Sequence, residues 1–263
     1  MLTSHRVRAG VAVAVVTLFC VACEDNVAQF GSRANEQRTL AASAAPSATA
    51  APAKPEDPLA GLVVDDLGPF LQSERIDMAA KDAAERLRSV VWKLPVKQKV
   101  VPVSATRSAK AQHVAALVHA LGQAGAAQVD VKTPVRTEAT MAVLKLIPEQ
   151  LAAASVPDCA VVGLIKKDNS TAVWHVRGGT ALKFTKGLAG PDISATVVGL
   201  QDQMKIKTCP ALHWLLTGEE NVMWGFVFDL GMAVATTSPP PRAANAVLLR
   251  EAPVAGRAVV LAK

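Results

Sequence analysis

Between Lys99 and Thr133 the hydrophobic positions change period twice. Val100 to Val103 is a short apolar run, a polar stretch follows, and Val114, Leu117, Val118 and Leu121 then fall at i, i+3, i+4 and i+7. That spacing predicts a helix with one stripe facing a core, while Lys110, Gln112 and Gln123 lie mostly off the stripe. Ser108 is the expected N-cap, and Gly122 with Gly125 the stop. From Ala127 the period becomes two, with Ala127, Val129, Val131 and Thr133 on one face and Gln128, Asp130 and Lys132 on the other. The stretch reads as a β-α-β unit with one wet sheet face.

The rest of the chain can be read the same way. Leu62 to Val64 predicts a strand, and Ile76 to Trp92 a helix with Ala80, Ala83, Leu87, Val90 and Val91 on one stripe. Met141 to Ile147 reads as a strand and Pro148-Glu149 as the start of a short helix. Ala160 to Ile165 and Ala172 to Arg177 flank the turn Lys167 to Ser170, so they predict a hairpin, with a third strand at Leu182 to Phe184. Gly190-Pro191-Asp192 opens a helix on which Ile193, Val197, Leu200 and Met204 share a face. A short helix is expected at Pro210 to Leu216. Val222 to Ala235, with Trp224, Phe226, Phe228 and Leu230 alternating, reads as a long strand. Val247 to Leu249 and Val259 to Leu261 are expected to add edge strands. The fold class is α+β: one or two small β-α-β units with mixed sheets, the halves 59–135 and 136–263 being related.

Two segments precede these elements. Val11 to Ala22 is an apolar run of 12 residues behind Arg6 and Arg8, about 18 Å long as a helix and so too short to span a bilayer. Residues 1–22 read as a signal peptide. Small residues before Cys23 resemble a bacterial lipobox, with Cys20 where leucine is usual, so Cys23 is the expected lipidation site. Residues 23–58 are rich in Ala, Ser and Pro, cannot bury enough surface to offset their ordering entropy, and are expected to form a disordered tether. This places the protein in the bacterial cell envelope, held to the membrane by its lipid and facing the periplasm. Glu24 after the cysteine favours the outer membrane over the inner.

Composition narrows the function. The chain is 51% hydrophobic with 4% aromatics and no tyrosine, and its net charge of +6 is scattered rather than striped. Nucleic-acid binding is not expected. The sequence has no GxSxG elbow, phosphate loop, HExxH or GxGxxG after a strand, so neither an enzyme nor a cofactor is expected.

The run VVPVSATRSAKAQHVAALVHALGQAGAAQVDVKT resembles the periplasmic domain of the ExbD and TolR biopolymer-transport family. There a strand, a short polar stretch, a helix ending in "AG" and a closing strand occur in this order. The resemblance implies a small periplasmic module that dimerises, binds partner proteins or cell-wall material such as peptidoglycan, and serves energy-coupling machines. The chain departs from the family in one respect: Val11 to Ala22 holds no acid, so no residue inherits the family's membrane aspartate. The reading is thus a lipid-anchored binding domain. The alternatives are a transport subunit held by an uncleaved N-terminal helix, and a hydrolase using Cys209 and His213.

Cys159 and Cys209 remain once Cys20 is removed and Cys23 acylated. In an oxidising periplasm they are most simply a disulfide, worth up to about 4 kcal/mol on the chain-entropy model. A metal site from Cys209 and His213 at i and i+4, completed by Cys159 or His175, and a Cys-His nucleophile stay open. His113 and His119 lie about 240° apart on the central helix and read as flank residues. Glu219-Glu220 reads as solvated turn charge. Trp174 and Trp224 are candidates for a binding surface, against the plainer reading that aromatic alternation on a strand is half of a core.

Overall fold

The structure is a computed structural model describing residues 57–136, 140–152, 159–186, 193–204, 213–236 and 245–261, with backbone only at 159 and 183–186. Its first half runs β1 (Leu62–Asp65), β2 (Gly68–Leu71), β3 (Glu74–Arg75), α1 (Ala83–Val91), β4 (Val100–Ala105), α2 (Ala111–Gln123) and β5 (Gln128–Pro134). Then come β6 (Met141–Ile147) and α3 (Glu149–Ala152). The second half runs β7 (Cys159–Ile165), β8 (Thr171–Arg177), β9 (Thr180–Lys186), α4 (Ser194–Met204), β10 (His213–Gly218), α5 (Trp224–Ala235) and β11 (Asn245–Leu248).

The fold is α+β with a mixed sheet. All 11 strands belong to that sheet, in the order β3-β2-β1-β4-β5-β6-β11-β10-β7-β8-β9. Read inward from either end, the order is the same: a three-strand meander, then two strands parallel to its first. β1 is antiparallel to β2 and parallel to β4, which is parallel to β5; β7 is antiparallel to β8 and parallel to β10, which is parallel to β11. β6 lies between the halves, antiparallel to β5 and parallel to β11. Therefore β5 and β11 run in opposite directions, as a two-fold axis normal to the sheet requires. One strand topology therefore occurs twice within a single sheet.

Local hydrogen bonds repeat as well. Thr106 N donates to Val64 O in the first half, and Glu219 N to Ile165 O in the second. Across the axis the bonding is reciprocal: Ala111 N donates to Val222 O, and Trp224 N to Ala109 O. Lys110 and Met223, the N-caps of α2 and α5, face each other in an antiparallel bridge. Neither cap uses a side chain, and Ser108 is not the N-cap. The backbone of the opposite half accepts the first helical N–H, which removes the need for a capping oxygen.

Helices α1, α2, α4 and α5 contribute to one core on one face of the sheet, meeting Val101, Val103, Val129, Val131, Leu144 and Leu146 from the strands. The opposite face differs between halves. In the first it carries Asp130, Lys132 and Lys145 and is open, as the period-two pattern of β5 and β6 dictates. In the second, Ala160, Val162, Val176, Leu215 and Val247 form a smaller core under Ala152, Leu249, Val259 and Leu261. Residues 249–261 act as a strap there. Arg257 O accepts from Ala181 N, Gly256 N donates to Ala181 O and Val259 N to Gly179 O.

Several expected elements are corrected. Val222 to Ala235 is not a strand; α5 occupies Trp224–Ala235, with Trp224, Val227, Phe228, Leu230, Gly231 and Val234 buried along one side and the half-buried Phe226, Met232 and Ala233 adding apolar positions around the rest. A helix apolar on nearly every side shows both periods at once. The expected helix at Pro210 to Leu216 gives way to strand β10, which is buried on both faces and therefore does not alternate. β11 is central rather than an edge, and Val259 to Leu261 make no ladder beyond one bridge at Ala258. α1 starts at Ala83 rather than Ile76, because Ile76 N is committed to Pro69 O and Asp77 caps a turn through Ala79 N.

Candidate functional site

The paired loops before α2 and α5 bring together residues that are far apart in sequence. Arg107 enters from the β4–α2 loop and donates to Pro134 O at 3.2 Å, to Gly225 O at 3.1 Å and to Asp229 Oδ2 at 2.6 Å. Arg136, after β5, brings its Nε to within 3.0 Å of the same Asp229 oxygen. Its guanidinium carbon lies 5.4 Å from the Phe226 ring centroid, a cation–π contact. Two guanidinium groups therefore share one carboxylate. Arg107, Arg136 and Phe226, with Ser108, Met223 and Gly225, line a cavity of about 280 Å³. The cavity sits where two helix N-termini converge, although their first N–H groups are spent on the reciprocal seam.

A second polar cluster lies at the other end of α2. His119 is 8% exposed and Glu149 is 4% exposed. The side-chain amide of Gln150 hydrogen-bonds His119 Nδ1, with Nε2 at 3.0 Å. Glu149 Oε1 accepts from Arg250 N at 2.6 Å, tying α3 to the root of the strap, and Oε2 lies 4.0 Å from His119 Nδ1. His119 is therefore a core residue rather than the flank residue expected.

Burial pushes the His119 pKa below its ordinary 6.5; Glu149 opposes the shift, and Arg250 and Arg88 reinforce it. The unfolded chain then binds more protons than the native one at mildly acidic pH, so stability fully present above about pH 6.5 is lost as pH falls from there through the lower folded pKa. Burial lowers His113, His175 and His213 too. Urea denaturation is expected to show a lower midpoint at pH 5.5 than at pH 7.5, with a smaller difference in His119→Gln. Equal midpoints in the wild type would contradict the burial of these rings.

Trp224 is 0% exposed and donates its indole N–H to Thr133 Oγ1 at 2.8 Å, so it is core and not a binding surface. Trp174 is half-buried against the second core. Glu219 and Glu220 hold the β7–β8 turn: Glu219 Oε2 accepts from Lys167 N, and Glu220 pairs with Lys167 Nζ at 2.8 Å. His213 begins a strand, so the helical i, i+4 geometry proposed for Cys209 and His213 does not apply. Cys23 and Cys209 lie outside the described residues, and Cys159 is placed only by its backbone at the start of β7. Among the described residues no group of three or more His, Cys, Asp or Glu is arranged to hold a metal, and no helix is long and apolar enough to cross a membrane.

Sequence reading did not find the seam cluster. Arg107, Arg136 and Asp229 carry no motif, and only the pairing of the two halves brings them together. No family model, curated protein or solved structure matches the chain.

Proposed function

We propose that the protein is a non-enzymatic cell-envelope lipoprotein whose folded part is a doubled ExbD/TolR-like binding domain, directed at a protein partner or peptidoglycan. The observation that carries this reading is the repeated unit of meander, helix, strand, helix and strand, with the family-like stretch Lys99 to Thr133 forming β4, α2 and β5 of the first copy. A module that would otherwise pair with a second chain finds its counterpart within its own chain. The seam supports a binding role because it holds the exposed, partly apolar and positively charged cavity beside Arg136.

The anchor is acyl chains on Cys23, followed by the tether of residues 24–58. Metabolic labelling with a clickable fatty acid should mark the wild type and leave Cys23→Ala unmarked; equal labelling of the two would refute the anchor. The binding role is tested by using the full mature chain as bait in detergent-solubilised envelope. A protein or peptidoglycan fragment should be retained above bait-free resin, and retention of neither would refute it.

A further inference from the structure

We propose that the seam cavity receives the carboxylate end of a peptide whose last side chain is apolar. The proposal rests on the binding role and names the chemistry of what is bound. Its basis is Arg136. Nε is held by Asp229 at 3.0 Å and the guanidinium plane by Phe226 at 5.4 Å, while the two η-nitrogens have no partner among the described residues. The side chain is 46% exposed, so the free fork is reachable. A guanidinium fixed in this way has already lost its rotamer freedom and presents two parallel N–H donors at the spacing of a carboxylate.

The surroundings fit the same ligand. Among the described residues of the cluster, Arg107 and Arg136 against Asp229 leave one net positive charge. The floor is apolar, made of Phe226 and of Met223, which is 53% exposed. A volume of about 280 Å³ lies just under the usual range for drug-sized ligands and admits the last residue of a peptide, its carboxylate and an apolar side chain together. A phosphate would satisfy the guanidinium but leave Met223 and Phe226 unused.

The test uses N-acetyl-alanyl-alanine as probe, titrated into the full mature chain by calorimetry. The free acid is expected to bind about tenfold or more tightly than its C-terminal amide and than acetate, a difference of about 1.4 kcal/mol or more. Arg136→Gln should lose about tenfold or more of that affinity, and Arg136→Lys should recover only part, because an ammonium lacks the fork. Met223→Asp, an exposed position that does not threaten folding, should also lose binding through charge repulsion. L- and D-alanyl probes run side by side distinguish a protein C-terminus from a cell-wall stem peptide, and a preference for either supports the site. Equal binding of acid and amide, binding unchanged in both Arg136→Gln and Met223→Asp, or no binding to the wild type would overturn the proposal. If envelope bait still captured a partner in that case, the binding role would stand and only this site would fall.

Discussion

Trp224→Ala is expected to lower stability by about 3–5 kcal/mol, the cost of emptying a buried aromatic site in a close-packed core. Trp224 is fully buried at the first turn of α5, its ring centroid is 6.0 Å from that of Phe228, and its indole N–H reaches across the seam to Thr133 on β5. Removing it opens a void and also leaves the Thr133 hydroxyl buried without its donor. Domains of this kind are stable by only about 5–15 kcal/mol, so the variant should be marginal at room temperature. Trp224→Phe retains most of the volume and loses the hydrogen bond, so a smaller loss of about 1–2 kcal/mol is expected. Urea titrations followed by circular dichroism give both values. A loss below about 1 kcal/mol for alanine would mean that the two halves are not tied together through this side chain.

Gly231 makes the same point about close approach at the seam. A Cβ there would lie 2.6 Å from Leu144 Cδ2 and 3.1 Å from Leu216 Cδ2, so α5 comes down on β6 and β10 only because this position has no side chain. In the first half the matching position on α2 is Val118, which is 1% exposed and has room. The two copies thus share topology while differing in the side chains that fill it. At matching core positions Val114, Leu117 and Ala120 recur as Val227, Leu230 and Ala233, and most of the others differ. The duplication was for that reason only faintly visible in the sequence and is plain in strand order and reciprocal hydrogen bonds.

What the sequence revealed depended on burial. β5, with one wet face, alternates because water selects its outer positions, whereas β6 reads as a strand from its apolar run, Met141 and Val143 standing exposed on its outer face. α2 showed its stripe because Gln112, His113 and Gln123 remain partly exposed. β10 and α5 have almost no polar positions to mark their period, so the pattern of each suggests the other class of element. The site failed to show for another reason. Arg136 falls outside every element the sequence predicts, and its value arises from Asp229 and Phe226, which reach it only through the seam. No local pattern encodes that meeting.

A chain ending at Arg250, lacking Glu251 to Lys263, is expected to fold with the second half weakened and its outer face uncovered. Leu261 is 7% exposed on that face, and Val259 packs beside it. Burying side chains of this size contributes about 1.5–3 kcal/mol each when complete, and the strap's own ordering entropy offsets part of that. A net loss of about 2–4 kcal/mol is therefore expected. The larger consequence concerns association. Val162, Val176, Leu215 and Val247 would form a contiguous apolar patch beside β9, whose outer edge at Gly179 and Ala181 would lose its backbone partners. An apolar sheet face next to an open strand edge is a template for self-association. Sedimentation should show the truncated chain associating at concentrations where the full chain does not, with dye binding to exposed apolar surface rising in parallel. The first half provides the control, since its outer face carries Asp130, Lys132 and Lys145 and is open without any strap. Lys132→Val with Lys145→Val should therefore promote association of the intact chain in the same way. If the truncated chain stayed monodisperse and lost less than about 1 kcal/mol, residues 251–261 would be a passive tail and not the cover of the second core.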